Sequence, residues 1–269
     1  MIKENWKEEK KIKKWIKKYE IDGIISDNRL GVFSKNIPSV YLTHQLNVMT
    51  GNTTWFSSIL HQHIIKKHNE CWIPDLEGTP NLTGKLGHIS TPDFKLKYIG
   101  PLSRMHKKEI LKQYDLMIIL SGPEPQRGQL EEKLKVEISN YKGNVVFIKG
   151  IIEKDQKKEQ IENVTYYNYM NSRQLEQTYN ESKTVLCRSG YTTIMDLVKL
   201  EKKAFFIPTP GQYEQEYLAK KLKEESLVPY AKQDHFCIEN LKEIENYKGL
   251  PFIDTPTNWS ELFEVFEKK

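Results

Sequence analysis

The segment TVLCRSGYTTIMDLVKL, Thr184–Leu200, sets a thiol, a guanidinium, a hydroxyl and a glycine where a short apolar run passes into a helical pattern. Two chemistries compete for that corner. A helix N-terminus carries roughly half a unit of positive charge and presents N–H groups with no partner inside the helix, which suits a phosphate. Ser189, Thr192 and Thr193 add hydroxyls, Arg188 a charge-assisted donor, and Gly190 lets the chain turn sharply into the helix. Asp196, further along, can accept two ribose hydroxyls. An ordinary cap by Ser189 or Thr192 explains the same residues without any ligand. The rival chemistry is nucleophilic, because the helix end and the adjacent arginine would lower the pKa of Cys187. A nucleophile needs a base, however, and no histidine stands at a recognisable local spacing. Cys187 therefore reads as a buried thiol.

Other loops carry weaker signals. In IPTPGQYEQEYLA, Gln215 and Glu216 fall in the first turn of a helix, placed for hydroxyls or a base edge, although such residues are usually solvated. The turn SGPEPQRG, with Ser121 and Gly122, has the shape of a phosphate turn but matches neither G-x-G-x-x-G nor the P-loop. His61, His63 and His68 lack the i, i+4 spacing of a helical metal site and read as surface residues.

The elements that must position these groups alternate. Apolar runs at 22–27, 38–44, 70–75, 95–100, 115–120, 144–150, 164–169, 184–187, 203–208 and 227–230 read as strands. Helical patterns cover 4–19, 53–68, 129–141, 171–182, 191–200, 213–225, 237–247 and 259–269. Strands alternating with helices imply right-handed crossovers and an α/β parallel sheet, with ligands at the carboxyl ends of its strands. The pattern resets near Gly100–Arg104, which divides the chain into domains 1–100 and 101–269.

Composition agrees with a globular protein. Of 269 residues, 38% are hydrophobic and 29% charged, and Lys plus Arg exceed Asp plus Glu by 41 to 36. That mild basic excess comes without a nucleic-acid-reading motif, so no nucleic-acid partner is expected. Three dispersed cysteines support neither a disulfide framework nor a zinc site, and no metal is expected. The lysine-rich opening MIKENWKEEKKIKKWIKKYE is no secretory signal. It can rest on anionic lipid, but its glutamates favour a solvated helix.

Taken in order, CRSG, the acidic Asp196, the Pro-rich strand end and the Gln215–Glu216 helix resemble the C-terminal half of MurG-like glycosyltransferases of family 28. ISDNRLG, IPSVYLTHQL, CWIPDLEG, GKLGH, KYIGPLSR and LSGPEPQR resemble uncharacterised bacterial members of that family. The resemblance implies the GT-B fold, two Rossmann-like domains facing a cleft. It also implies a cytoplasmic enzyme, able to sit peripherally on the inner face of the membrane. The reaction implied is metal-independent, inverting transfer of a hexosyl or N-acetylhexosaminyl group from a UDP-sugar to a sugar or lipid-linked acceptor, with no separate cofactor. No Asp-x-Asp motif opposes this. Residue by residue, Arg104, Ser121 and Gly122 would face the diphosphate; Arg188, Ser189, Gly190 and Thr192 would frame the nucleotide. Asp196 would meet the ribose, one methylene shorter than the family's glutamate, and Gln215 with Glu216 would lie near the donor.

Family members open on a strand and a Gly-His loop that supplies the acceptor-side base, whereas this chain opens on a helix. The resemblance thus implies a shortened first domain, with Asp27 and His44 as fallback catalytic residues. His44 as a structural histidine stands beside that reading. The strand at Gly23–Ser26 would expose an apolar edge, open to self-association or a partner chain. Two rival functions follow: a donor-holding subunit that works with a separate N-terminal partner, and a nucleotide-sugar 2-epimerase.

Overall fold

The computed structural model describes residues 2–49, 54–251, 253 and 257–267. Thr53, Lys268 and Lys269, expected within helices, lie outside them. In chain order the elements are α1 (Ile2–Tyr19), β1 (Ile24–Asp27), β2 (Ser39–Leu42), α2 (Thr54–Ile65), β3 (Glu70–Ile73), β4 (Leu96–Tyr98), β5 (Tyr114–Ile119), α3 (Gln126–Ile138) and β6 (Val145–Ile148). They continue with β7 (Lys158–Ile161), β8 (Val164–Tyr167), α4 (Ser172–Glu181), β9 (Ser182–Cys187), α5 (Tyr191–Lys199), β10 (Lys203–Phe206), α6 (Tyr213–Glu224) and α7 (Trp259–Phe263). Two compact units result, Met1–Leu102 with Asp254–Lys269, and Ser103–Ile253.

In the first unit a parallel sheet runs β1-β2-β3-β4. Val40, Tyr41, Cys71, Trp72 and Ile73 are buried in it. The closing segment packs here and not with the second domain, where the sequence reading placed it. Its reason is aromatic: Trp72 meets Phe263 and Phe266 at ring-centroid distances of 5.7 and 6.2 Å, and Leu262 is buried beside them. β1 is the end strand, and among the described residues it pairs with β2 alone. Its residues alternate, with Ile24 and Ser26 buried and Ile25 45% exposed, so one face of this parallel strand is open.

His61 and His68 correct the surface reading, since both are buried against Tyr41. Burial lowers both pKa values, that of His61 to about 4. His63 is exposed. The glycine-rich loop after β3 is organised by Asp75, a fully buried carboxylate that accepts from the N–H groups of Leu76, Leu82 and Thr83 at 2.7–2.9 Å and from the Thr83 hydroxyl. Gly87 is required by close approach: a Cβ would stand 2.5 Å from Thr83 Oγ1 and 3.2 Å from the His44 carbonyl oxygen. GKLGH thereby lies against the His44 segment.

The second unit carries a six-stranded sheet, β10-β9-β5-β6-β8-β7, parallel except for β7. Continuous apolar runs build its centre, as strands covered on both faces require. Leu116, Ile118, Val145, Phe147, Leu186 and Phe205 are almost wholly buried, with Leu130, Leu134 and Ile138 of α3 packed on them. Three elements differ from expectation. The exposed strand KEQI, β7, has no apolar residue before its last and pairs antiparallel at the sheet edge, where polar residues blunt further pairing. LVPY contributes only one bridge, Phe206 to Tyr230. The 237–247 pattern winds as a 3-10 helix over Ile238–Asn246.

Two lysines hold the C-terminal end of α4, favourably for its dipole. Lys112 Nζ donates to the Asn180 carbonyl at 2.6 Å, and the buried Lys202 Nζ to that of Ser182 at 2.8 Å. Burial, with Lys112 nearby, pulls the Lys202 ammonium down to about 8. The unfolded chain then holds the extra proton between about pH 8 and the ordinary lysine value near 10.4, so this group adds stability as pH rises through that window. Urea unfolding should show wild type gaining about 1–3 kcal/mol on a Lys202→Met variant from pH 7.5 to 10.5. A pH-independent difference would refute the burial effect.

Candidate functional site

The carboxyl ends of β5, β9 and β10 align, with Ile119 opposite Cys187 and Cys187 opposite Phe206. Residues 120–125, 188–190 and 207–212 leave this edge for α3, α5 and α6. The N-cap residues of these three helices make no side-chain cap bond, although Glu124 Oε2 accepts from the Gly128 N–H in the first turn of α3 at 3.0 Å. α4, by contrast, carries a full capping box from Asn171 and Gln174.

The sequence reading turned Arg188 and Ser189 toward a ligand; the structure turns both inward. Arg188 is 2% exposed. Its Nη1 donates to the carbonyls of Ile207 and Pro208 at 3.0 and 3.1 Å, and its Nη2 to the Gln126 carbonyl and Gln233 Oε1 at 3.0 and 2.8 Å. Among the described residues no carboxylate pairs with it, and burial lowers its pKa to about 10. Arg188 thus lies under the edge as an uncompensated positive charge that ties three segments together. Ser189 Oγ donates to the Gln215 carbonyl at 2.8 Å, joining the starts of α5 and α6. Cys187 is buried and its pKa is raised by burial, as suits a thiol without catalytic work.

Gln215 and Glu216 act on their own loop. Gln215 Oε1 accepts from the Thr209 N–H at 2.9 Å while its Nε2 donates to Gln212 Oε1 at 2.6 Å; Glu216 Oε1 accepts from the Gly211 N–H at 3.0 Å. In these positions they shape the 207–212 loop and do not extend from it.

What lies open at the edge is smaller. Gly190, the N-cap of α5, has φ −73° and ψ 141°, which any residue adopts, so the turn does not require glycine. A Cβ there would meet nothing within 4 Å. Thr192 is exposed one residue beyond the start of the helix. Across the edge Ser121 and Gly122 are exposed, and Gly122 does need its glycine, at φ +99°. Asp196 is half-buried, with Oδ1 accepting from Ser103 Oγ at 2.6 Å. Burial raises its pKa, against the Ser103 hydrogen bond and the charge of the exposed Arg104. On the second unit Arg104 thus acts on Asp196, Gly190 and Thr192 lie at the start of the same helix, and Ser121 and Gly122 follow the neighbouring strand β5. Ser103 went unremarked in the sequence because a lone serine has no spacing signal; its place beside Arg104 in GPLSR was the available clue.

Asp27 and His44 belong to the first unit, at the carboxyl ends of β1 and β2. Asp27 is exposed, and His44 is half-buried with Nε2 3.4 Å from Gln45 Nε2. No group of three or more potential metal ligands occurs among the described residues.

Two Rossmann-like parallel-sheet units place the protein in the GT-B fold class. The chain is similar to MurG of Acinetobacter baumannii, at 12% identity and TM-score 0.52 over 88% of this chain and 67% of that one. It is also similar to CalG4, the calicheamicin glycosyltransferase, at 11% identity and TM-score 0.59 over 91% of this chain and 71% of that one. Residues 126–247 match the glycosyltransferase family 28 C-terminal domain. A curated relative from Haemophilus ducreyi, the UDP-N-acetylglucosamine–N-acetylmuramyl-(pentapeptide) pyrophosphoryl-undecaprenol N-acetylglucosamine transferase, is 24% identical over 246 residues, which are 85% of this chain. The chain spans 64% of that relative's length. Over residues 126–247 the chain is thus similar to the C-terminal domain of glycosyltransferase family 28, the family of the MurG-like enzymes it resembles.

Proposed function

We propose that the protein is a glycosyltransferase whose second unit holds a UDP-sugar and whose reaction moves the hexosyl group to a sugar or lipid-linked acceptor. The observation that carries this reading is the start of α5, an uncapped helix end whose Gly190 faces open space. A diphosphate can approach there to the distance that N–H groups require. Arg104 would steady the diphosphate and Asp196 the ribose. Arg188 would serve from below, as a fixed charge already in place before the leaving group develops its own. In the transfer, the acceptor oxygen bonds to the anomeric carbon, the bond from that carbon to the diphosphate oxygen breaks, and UDP departs with its electron pair. The acceptor's proton goes to a base, for which Asp27 and His44 are the candidates on this chain. Inversion follows from a single displacement. Among the described residues no helix is long and apolar enough to cross a membrane, so contact with a lipid-linked acceptor would be peripheral.

A second reading, a donor-holding chain completed by a partner, draws support from the open edge and exposed Ile25 of β1. Both readings predict nucleotide binding. UDP at 100 times its dissociation constant should add about 2.7 kcal/mol of stability, read as a rise of several degrees in melting temperature that GDP and UMP do not match. No shift with any nucleotide in folded protein would sink both readings. UDP release that requires an acceptor would then favour transfer, and conversion of the donor alone would favour epimerisation.

A further inference from the structure

We propose that Ser103 is a positioning residue for the donor, its hydroxyl fixing the Asp196 carboxylate for a ribose diol. The inference rests on the donor-site reading and adds to it the residue that precedes Arg104. Ser103 is the first residue of the second unit, far in sequence from α5.

The geometry gives the hydroxyl one available role. Ser103 Oγ accepts from the Met105 N–H at 3.0 Å, which orients its lone pairs toward the backbone and leaves its single proton for Asp196 Oδ1 at 2.6 Å. That distance is in the range of a charge-assisted O–H···O⁻ bond. Asp196 is thereby held as an acceptor, which is the form a ribose needs, because both ribose hydroxyls donate. Burial acts against it by favouring the neutral acid, and a neutral acid would spend one oxygen as a donor. The other groups that act on this carboxyl are Arg104, whose charge favours ionisation, and the buried Tyr179 of α4. Of these, only Ser103 both contacts the carboxylate and sets its direction.

Ser103→Ala should therefore raise the Asp196 pKa. UDP binding, which needs the ionised carboxylate, should then be lost at higher pH on the acid side. The expected displacement is about one pH unit, with affinity above pH 7.5 reduced less than about threefold, and Ser103→Thr should restore the wild-type profile. Two measurements test this: UDP affinity by calorimetry from pH 4.5 to 8, and the ¹³C titration of the Asp196 carboxyl in the free protein. An unshifted Asp196 titration in Ser103→Ala overturns the inference, as does a uniform loss of affinity at every pH. A shifted titration in a protein that binds no UDP upholds the Ser103–Asp196 coupling and instead defeats the donor-site reading.

Discussion

Gly190→Trp is expected to abolish UDP binding, by 100-fold or more in Kd on the order of about 3 kcal/mol, while the free chain keeps nearly its full melting temperature. Two observations separate the effects. The backbone at Gly190 has φ −73° and ψ 141°, so a side chain causes no strain, and an added Cβ meets no atom within 4 Å. The fold therefore tolerates the indole, at a cost near the about 1 kcal/mol of a poor N-cap residue. The space it fills is the one through which a diphosphate would approach α5. Calorimetric UDP titration, paired with thermal unfolding, checks both halves. Binding within threefold of wild type would remove the start of α5 from the site. Gly190→Ala gives a graded control, since a methyl group occupies only the beginning of that space.

Sequence and structure part company at this corner. The CRSG corner was legible as the junction of a strand and a helix because TVLC is apolar and the period changes immediately after it. The inner sheet was legible for the same reason: DLMIIL, NVVFIKG and KAFFIP are continuous apolar runs, and only burial on both faces uses them. β7 was not, because an edge strand such as KEQI gains its place from main-chain pairing with β8 and leaves no apolar signature. Side-chain direction was least legible. Arg188, Ser189, Gln215 and Glu216 have the types a nucleotide site wants, yet each satisfies carbonyl or N–H groups of a neighbouring loop. Residue type reports what a group can bond, and only the packed loops decide which partner arrives first. His61 and His68 show the converse, polar residues buried in the first unit because Tyr41 stands between them.

Arg188→Met should be the most destabilising single change at the site, by about 2–4 kcal/mol in urea unfolding. Two effects oppose each other. Removing the guanidinium relieves the cost of burying a cation, which the depressed pKa of about 10 reports and which amounts to about 3 kcal/mol. Against this, four carbonyl oxygens on Ile207, Pro208, Gln126 and Gln233 lose a donor, each at about 1–3 kcal/mol when buried. The acceptors outweigh the charge because there are four of them on three separate segments. Arg188→Lys keeps the charge, but a point ammonium has no fork to span those segments, so it should recover only part of the loss. Nucleotide affinity should fall in parallel, since the loop before α6 and the start of α3 share this one anchor. If Arg188→Met unfolded at the same urea concentration as wild type, with the same slope, water would be serving those carbonyls. The four bonds of Arg188 would then add nothing net to stability beyond the cost of burying its charge.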